Sequence, residues 1–284
     1  MAGTTRPEPA PGMMAFMDHP LDAAIALAPQ ADGTLLGHTH PAYANMVGPY
    51  GGITAAQALN AVLQSPARLG EPVALTVNFC AALADGAFTA QARAVRTNRS
   101  TQHWTVDLQQ AGEVVATATV FTALRRDTWA DDEHRMPEVP APEDLPRARA
   151  AAPVAWLQRY EMRLVEGAIP AAWDGAEHHD STTRLWVRDD PPRVLDHAAL
   201  AALCDVFFPR IWRRRATPVP VGTVSMTVYF HADAAQLAAT CSGFLFAQAK
   251  AQAFRGGYFD QTGQLWNRAG ELLATTHQVV YYKA

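Results

Sequence analysis

The sequence predicts an α+β chain made of two tandem copies of one unit, each a curved antiparallel sheet around a single central helix. Three observations predict it. The run Ala111 to Leu124, AGEVVATATVFTAL, is echoed by Ala269 to Tyr282, AGELLATTHQVVYY; both open on an Ala-Gly-Glu turn and continue with strand-like composition. A second pair, VALTVNF from Val73 and VSMTVYF from Val224, repeats in the same order, offset by roughly half the chain, as an internal duplication would. Each half also carries one helical stretch followed by a series of strand-like runs, the pattern of an α+β unit.

In the first half, Leu35 to His40 and Ala42 to Val47 read as short strands. Gly48-Pro49-Tyr50-Gly51-Gly52 is a breaker. The following ITAAQALNAVL is Ala-rich and places Ile53, Ala56, Leu59 and Leu63 at helical spacing, so it predicts a helix that Ser65-Pro66 ends. Strands are then expected at Val73–Leu83, Phe88–Thr97, Gln102–Gln109 and Glu113–Leu124, with Asp85-Gly86, Asn98-Arg99-Ser100 and Ala111-Gly112 at the turns. Residues 126–153 are Pro-rich, charged and without periodicity, which predicts a linker.

The second half replays the plan. Tyr160–Glu166 and Thr182–Arg188 read as opening strands. Asp196 is a plausible N-cap for a helix through HAALAALCDVFF that Pro209 stops. Strand-like runs follow at Val221–His231, Gln236–Gln248, Gly256–Asn267 and Glu271–Lys283. The expected division is a tail at 1–17, a module at 18–125, the linker at 126–153 and a second module at 154–284. A helix wrapped by such a sheet is the hotdog arrangement, and two in one chain make a double hotdog. Pairing of the edge strands of the two modules would give one continuous sheet and protect those edges.

Composition narrows the function. At 49% hydrophobic and 18% charged residues, the 284-residue chain can bury a sizeable core. A formal net charge of -4 gives no pull toward nucleic acid or acidic membranes. Cys80, Cys204 and Cys241 are sparse, odd in number and without a CxxC pair, which argues for a reducing compartment. No apolar run reaches the ~20 residues that cross a bilayer. The N-terminus lacks a basic segment followed by an apolar one. A cytoplasmic protein is expected.

Within the last strand, Gln278 shares a face with Thr276 and Val280, whereas the first copy has Val120 at that position. An amide on a core-facing strand position costs free energy unless it finds partners. Asp205 is likewise an acid in an apolar stretch, in register with the small residues Ala198, Ala201 and Ala202. Burial there would raise its pKa toward that of a useful base. The alternatives are a solvated helix-end acid at Asp205, an ordinary strand threonine at Thr223 and a solvent-facing edge amide at Gln278.

Three segments carry a resemblance: Asp205-Val206-Phe207-Phe208-Pro209, Thr223-Val224-Ser225-Met226-Thr227-Val228-Tyr229-Phe230-His231 and Thr275-Thr276-His277-Gln278. With them the chain resembles the double-hotdog acyl-CoA thioesterases, the group that contains bacterial acyl-CoA thioesterase II. The resemblance implies that Asp205, Thr223 and Gln278 hold and activate a water that attacks an acyl-CoA thioester, giving free acid and CoA, with no cofactor or metal. It also implies a role in lipid metabolism. The family's strand motif usually has Asp two residues after the Thr; here Ser225 stands there, a departure that bears on substrate preference. In the register of the echoes Thr223 and Gln278 correspond to Pro72 and Val120, so chemistry is expected in the second module only, with the first supplying packing and part of the acyl groove. A homodimer or larger assembly is expected from the long sheet edges and flat face.

Other chemistries find less support. The chain has no GxSxG elbow, GxGxxG loop or P-loop. His178-His179-Asp180 lacks the spacing of a metal site, and His38 and His40 read as a surface pair. Cys204 reads as a small buried hydrophobe. Arg213-Arg214-Arg215 reads as a solvated face, or as a contact for CoA phosphates in the setting of this family. Two rivals stay open: a hotdog hydratase or dehydratase, for which His197 is available but the DxNxxH pattern is missing, and an acyl-CoA-binding protein without catalysis.

Overall fold

The computed structural model describes residues 19–149 and 154–283. The expected tail at 1–17 lies outside them. In the first module a short helix α1 (Pro20–Ile25) and strands β1 (Ala28–Pro29) and β2 (Leu35–His38) precede helix α2 (Gly51–Leu63). Then come β3 (Glu71–Phe79), β4 (Ala87–Thr97), β5 (Thr101–Gln110) and β6 (Glu113–Ala123). The second module opens with β7 (Tyr160–Glu166) and β8 (Thr183–Asp189), followed by α3 (His197–Leu203) and α4 (Arg210–Arg215). It closes with β9 (Val221–Phe230), α5 (Ala234–Thr240), β10 (Leu245–Lys250), β11 (Phe254–Arg255), β12 (Tyr258–Trp266) and β13 (Leu272–Tyr282).

All thirteen strands among the described residues form one sheet, in the order β1-β2-β4-β5-β6-β3-β9-β13-β12-β10-β8-β7, with β11 beside β12. Each module uses the same spatial order: β2-β4-β5-β6-β3 in the first and β8-β10-β12-β13-β9 in the second. The modules join where β3 and β9 pair antiparallel, with Thr76 opposite Thr227 and their hydroxyls 3.0 Å apart. This is the continuous double-hotdog sheet that the sequence predicts. Arg125 ties the same junction, donating to the carbonyls of Pro72, Phe230, His231 and Ala232.

The two modules also share a flaw in the pairing. Against β6, β3 slips one residue at Val73, since Pro72 pairs with Thr122 and Ala74 with Phe121. Against β13, β9 slips at Val224, since Thr223 pairs with Val280 and Ser225 with Val279. Val73 and Val224 are the first residues of the two sequence echoes, so the echoes register the modules as the structure does. A bulge of this kind turns the side chains beyond it to the other face.

Helices α2 and α3 lie in the concave side of the sheet, packed on each other through small residues. The Tyr50 hydroxyl donates to the Ala202 carbonyl at 2.6 Å, and a Cβ on Gly52 would sit 2.5 Å from that carbonyl oxygen. Only close backbone approach permits this.

Several elements differ from the sequence reading. Ala42–Val47 is not a strand; it holds a one-turn helix over Pro41–Tyr43 and an Ala44–Pro49 bridge. The run Gln236–Gln248 splits, because Asp233 and Gln236 form a capping box that starts α5, and only Leu245–Lys250 is strand. Helix α3 ends at Leu203, two residues before Asp205, and an unforeseen α4 follows Pro209. The segment 126–149 packs on the outer face of the second module. Its Met136, Val139 and Leu145 cover Trp186, Phe246 and Trp266, and Trp186 Nε1 donates to the Pro140 carbonyl. Aromatic surface on that face needed a cover, and the polar composition of the segment conceals the few apolar residues that provide it. Among the described residues no helix is long and apolar enough to cross a membrane.

Candidate active site

Asp205 and Gln278 meet. The Gln278 amide nitrogen donates to Asp205 Oδ1 at 2.7 Å and approaches Met226 Sδ at 3.4 Å. Gln278 is 3% exposed, on the concave face of β13 opposite Met226 of β9. Its amide nitrogen is thus engaged, and its carbonyl oxygen accepts from no described residue. The partner that the amide needed is a carboxylate from the turn after α3.

Asp205 is half-buried as a residue, but its carboxyl group is enclosed by protein on most sides. Desolvation raises its pKa from 3.8 to about 7. Hydrogen bonds from the Gln278 amide and the Gly52 backbone N–H pull in the opposite direction and are outweighed. The acid is therefore poised near neutrality, where it can take a proton.

Gly52 belongs to the other module, and with it enters a contribution that sequence reasoning missed. The first turn of α2, Gly51-Gly52 after the N-cap Tyr50, points at Asp205. A Cβ on Gly51 would lie 2.7 Å from Asp205 Oδ2. The first backbone N–H groups of a helix have no partner within it, and they carry the positive end of its dipole. The signal was in the chain: two glycines opening a helix are poor helix formers, and a close approach explains them better than a turn does. Substituting Gly51 with Ala should push the carboxylate aside and lower kcat by about tenfold to a hundredfold, with the fold retained by circular dichroism; the estimate follows from the cost of small misplacement in catalytic geometry.

Thr223 reaches the same face by the bulge. It pairs with Val280, which lies two residues beyond Gln278 on the concave side. Without the slip at Val224, Thr223 would share the outer face with Ser225. It makes no hydrogen bond to Asp205 or Gln278 in the structure, so the three residues share one face but only two touch.

The first module lacks the equivalent set. Tyr50 and Asp196 are the two N-caps, so the residue nine further on is Asp205 in one module and Leu59 in the other. Leu59, Val120 and Pro72 thus stand where Asp205, Gln278 and Thr223 stand. At the place of Gly51 the second module has His197, whose ring is buried against Phe230 with centroids 5.5 Å apart. Burial holds its pKa below the usual imidazole value. His197 and Asp205 lie eight residues apart, about 12 Å at the helical rise of 1.5 Å. They do not form a His–Asp pair, which is the arrangement the hydratase rival needs.

Cys204 is fully buried and its thiol is pushed up by desolvation, which leaves it inert beside Asp205. Arg214 donates to the His178 carbonyl and lies over the Phe254 ring, and Arg215 pairs with Glu177 at 3.1 Å. Two members of the arginine run therefore brace the loop before β8.

Two tandem modules sharing one sheet, with Asp205, Gln278 and the start of α2 gathered between them, define a double-hotdog protein. Residues 40–123 match the family model of the acyl-CoA thioesterase N-terminal domain, and residues 130–282 match that of the C-terminal domain. The chain belongs to the acyl-CoA thioesterase family and is a thioester hydrolase. It is 50% identical to a hot-dog-fold protein of unknown function from Alicyclobacillus acidocaldarius, over 94% of this chain and 98% of that one, with a TM-score of 0.88. An acyl-CoA thioesterase II from Mycobacterium marinum matches at 17% identity, 93% and 98% coverage and TM-score 0.71. The dehydratase domain of PpsC from Mycobacterium tuberculosis shares the fold at 14% identity, 93% and 99% coverage and TM-score 0.54. No curated protein matches the chain.

Proposed function

We propose that the chain hydrolyses acyl-CoA to free acid and CoA through one water, activated by Asp205 and oriented by Gln278 and Thr223. The observation that carries this is the 2.7 Å contact between the Gln278 amide and a carboxylate raised to about 7, at the start of a helix from the other module.

The steps follow from donors and acceptors. Gln278 has its amide nitrogen engaged, which leaves its carbonyl oxygen to accept one water proton. Ionised Asp205 accepts the other as the water oxygen attacks the thioester carbon. The carbonyl oxygen, gaining negative charge, faces the start of α2, where the Gly51 N–H and the positive end of the helix dipole favour an anion, the next N–H groups being taken by Asp205 and the Tyr50 carbonyl. Thr223 offers a hydroxyl to the water or to the leaving sulfur. Collapse of the tetrahedral intermediate expels the thiolate, which takes up the proton from Asp205. Atoms balance as acyl-CoA plus water giving acid plus CoA, and Asp205 returns to its carboxylate. Neutral Thr223 and Gln278 orient the water without competing for its proton.

The rival hydration chemistry is separated by product. Given crotonyl-CoA, the enzyme should release thiol, read with a thiol reagent, and leave the enoyl absorbance to fall only with thiol release. Loss of enoyl absorbance without free thiol would move the assignment to a hydratase.

A further inference from the structure

We infer that Gln261 is a further catalytic residue of the Asp205 site, its amide donating an N–H to the oxygen of the attacking water. The inference rests on the hydrolase reading above and assigns the contact of the water that is left open there.

Gln261 lies on β12 directly opposite Gln278 of β13, on the same concave face. Directly opposed residues of antiparallel strands hold their Cβ atoms ~4.5–5.5 Å apart, so two glutamine amides can bracket one water. Gln261 is 2% exposed, and its amide has no hydrogen-bond partner among the described residues. Neither amide atom is wholly sealed in, unlike the Thr276 hydroxyl on the same face, which is buried without a partner. An amide enclosed this far costs free energy unless a donor or acceptor reaches it. The first module shows what packing alone asks of the position. On β5, which takes the place of β12 there, Trp104 lies opposite Val120. The Trp–Val pair of one module is thus a pair of amides in the other, and the module with the carboxylate is the one that carries it.

The chain after α3 brings Gln261 to the carboxylate. Asp205 accepts from Gln278. Two residues on, the Phe207 ring lies on Gly263, where a Cβ would sit 3.1 Å from it. Ile211, in α4, packs with Phe259 and Val280. Phe259, Gln261 and Gly263 are successive concave residues of β12. The segment from Asp205 to Ile211 therefore passes over Gln261, with an apolar contact on either side of it. Along the strand both neighbours of the amide are covered, and across the strand stands Gln278.

The geometry of water assigns the contact. The water gives one hydrogen to Asp205 and one to the Gln278 carbonyl oxygen, and one lone pair attacks the thioester carbon. Its second lone pair needs a donor, and a neutral amide N–H supplies one without taking the proton. Gln261 reaches the water from the β12 side of Gln278, whereas Thr223 stands on the β9 side. That leaves the Thr223 hydroxyl for the leaving sulfur. Gln261 makes no hydrogen bond to Asp205, whose carboxyl is held by Gln278 and Gly52, so it acts on the water and not on the carboxyl pKa.

The test is thiol release from butyryl-, octanoyl- and palmitoyl-CoA by Gln261→Met, which keeps the length of glutamine without its polar atoms. For each substrate the wild type turns over, kcat should fall at least about tenfold, as for removal of one positioned hydrogen-bonding group, with KM within about twofold. The pH midpoint of kcat/KM should stay at the wild-type value, because the carboxyl keeps both of its hydrogen bonds. Tm should equal or exceed that of the wild type, since an apolar side chain removes an unpaired amide from the interior. Gln261→Leu, of different shape, should lose turnover likewise. Turnover within about twofold of wild type in both variants, or a loss that comes with a lower Tm and a raised KM in both, would make Gln261 a packing residue and overturn the assignment. Absence of thiol release by the wild type would instead strike the hydrolase reading, and the assignment with it.

Discussion

Asp205→Asn should abolish turnover and stabilise the protein. Thiol release is expected to fall by at least about a thousandfold, because general-base catalysis contributes roughly 10²–10⁴ and the positioned water is lost with it. Binding of a non-hydrolysable acyl-CoA should persist, since the substitution leaves the backbone N–H groups of α2 and the concave face in place. The stability gain follows from linkage. In the unfolded chain Asp205 ionises near 3.8; in the fold it ionises at about 7. Below the lower value both states are protonated and the carboxyl costs nothing. Between the two the unfolded state has already released its proton, so stability falls as pH rises, and above the upper value the full cost applies. A rise of this size corresponds to at most ~4 kcal/mol, which solvent reaching the half-buried residue reduces. An amide carries no such cost. The Tm of Asp205→Asn should therefore exceed the wild-type value by several degrees at pH 8, with the difference shrinking toward zero as pH falls to 4 and below. Equal activity in the variant, or a lower Tm at pH 8, would remove Asp205 from the role of enclosed base.

Gln278→Leu should be the next largest effect. Leu preserves the volume and the apolar face against Met226 but removes a donor to the carboxylate and an acceptor for the water. A loss of about 10²–10³ in kcat is expected, the size seen when one positioned hydrogen-bonding group is removed from a site. The fold should survive, because Val120 occupies the equivalent position in the first module without harm. Removing one of the two hydrogen bonds that lower the Asp205 pKa should also raise that pKa further.

Much of the fold was legible because β structure repeats its own grammar. The Ala-Gly-Glu turns and the VALTVNF and VSMTVYF runs marked the two modules, but not the bulge that sits at the head of each run. What was not legible depended on contacts between modules. Gly51 and Gly52 read as a turn because a glycine pair is locally ambiguous; only the carboxylate 2.7 Å from a would-be Cβ shows that it serves close approach. Asp205 was expected within its helix, and it lies just past the end, where α3 turns and frees the side chain to cross toward Gln278. The segment 126–149 read as a linker because its apolar residues are few and aperiodic, though they lie on Trp186 and Trp266. Thr223 was found by its motif alone. Its face could not have been read by alternation, because the bulge at Val224 reverses the parity of the strand.

The pH dependence of kcat/KM in the wild type beside Gln278→Leu tests the role of Asp205 as the base most directly. Wild-type activity should rise with pH and level off above a midpoint near 7, as the enclosed carboxyl gives up its proton and becomes a base. In Gln278→Leu the same rise should move to higher pH. A flat profile, a midpoint near the ordinary carboxylate value, or an unmoved midpoint in the variant would contradict it.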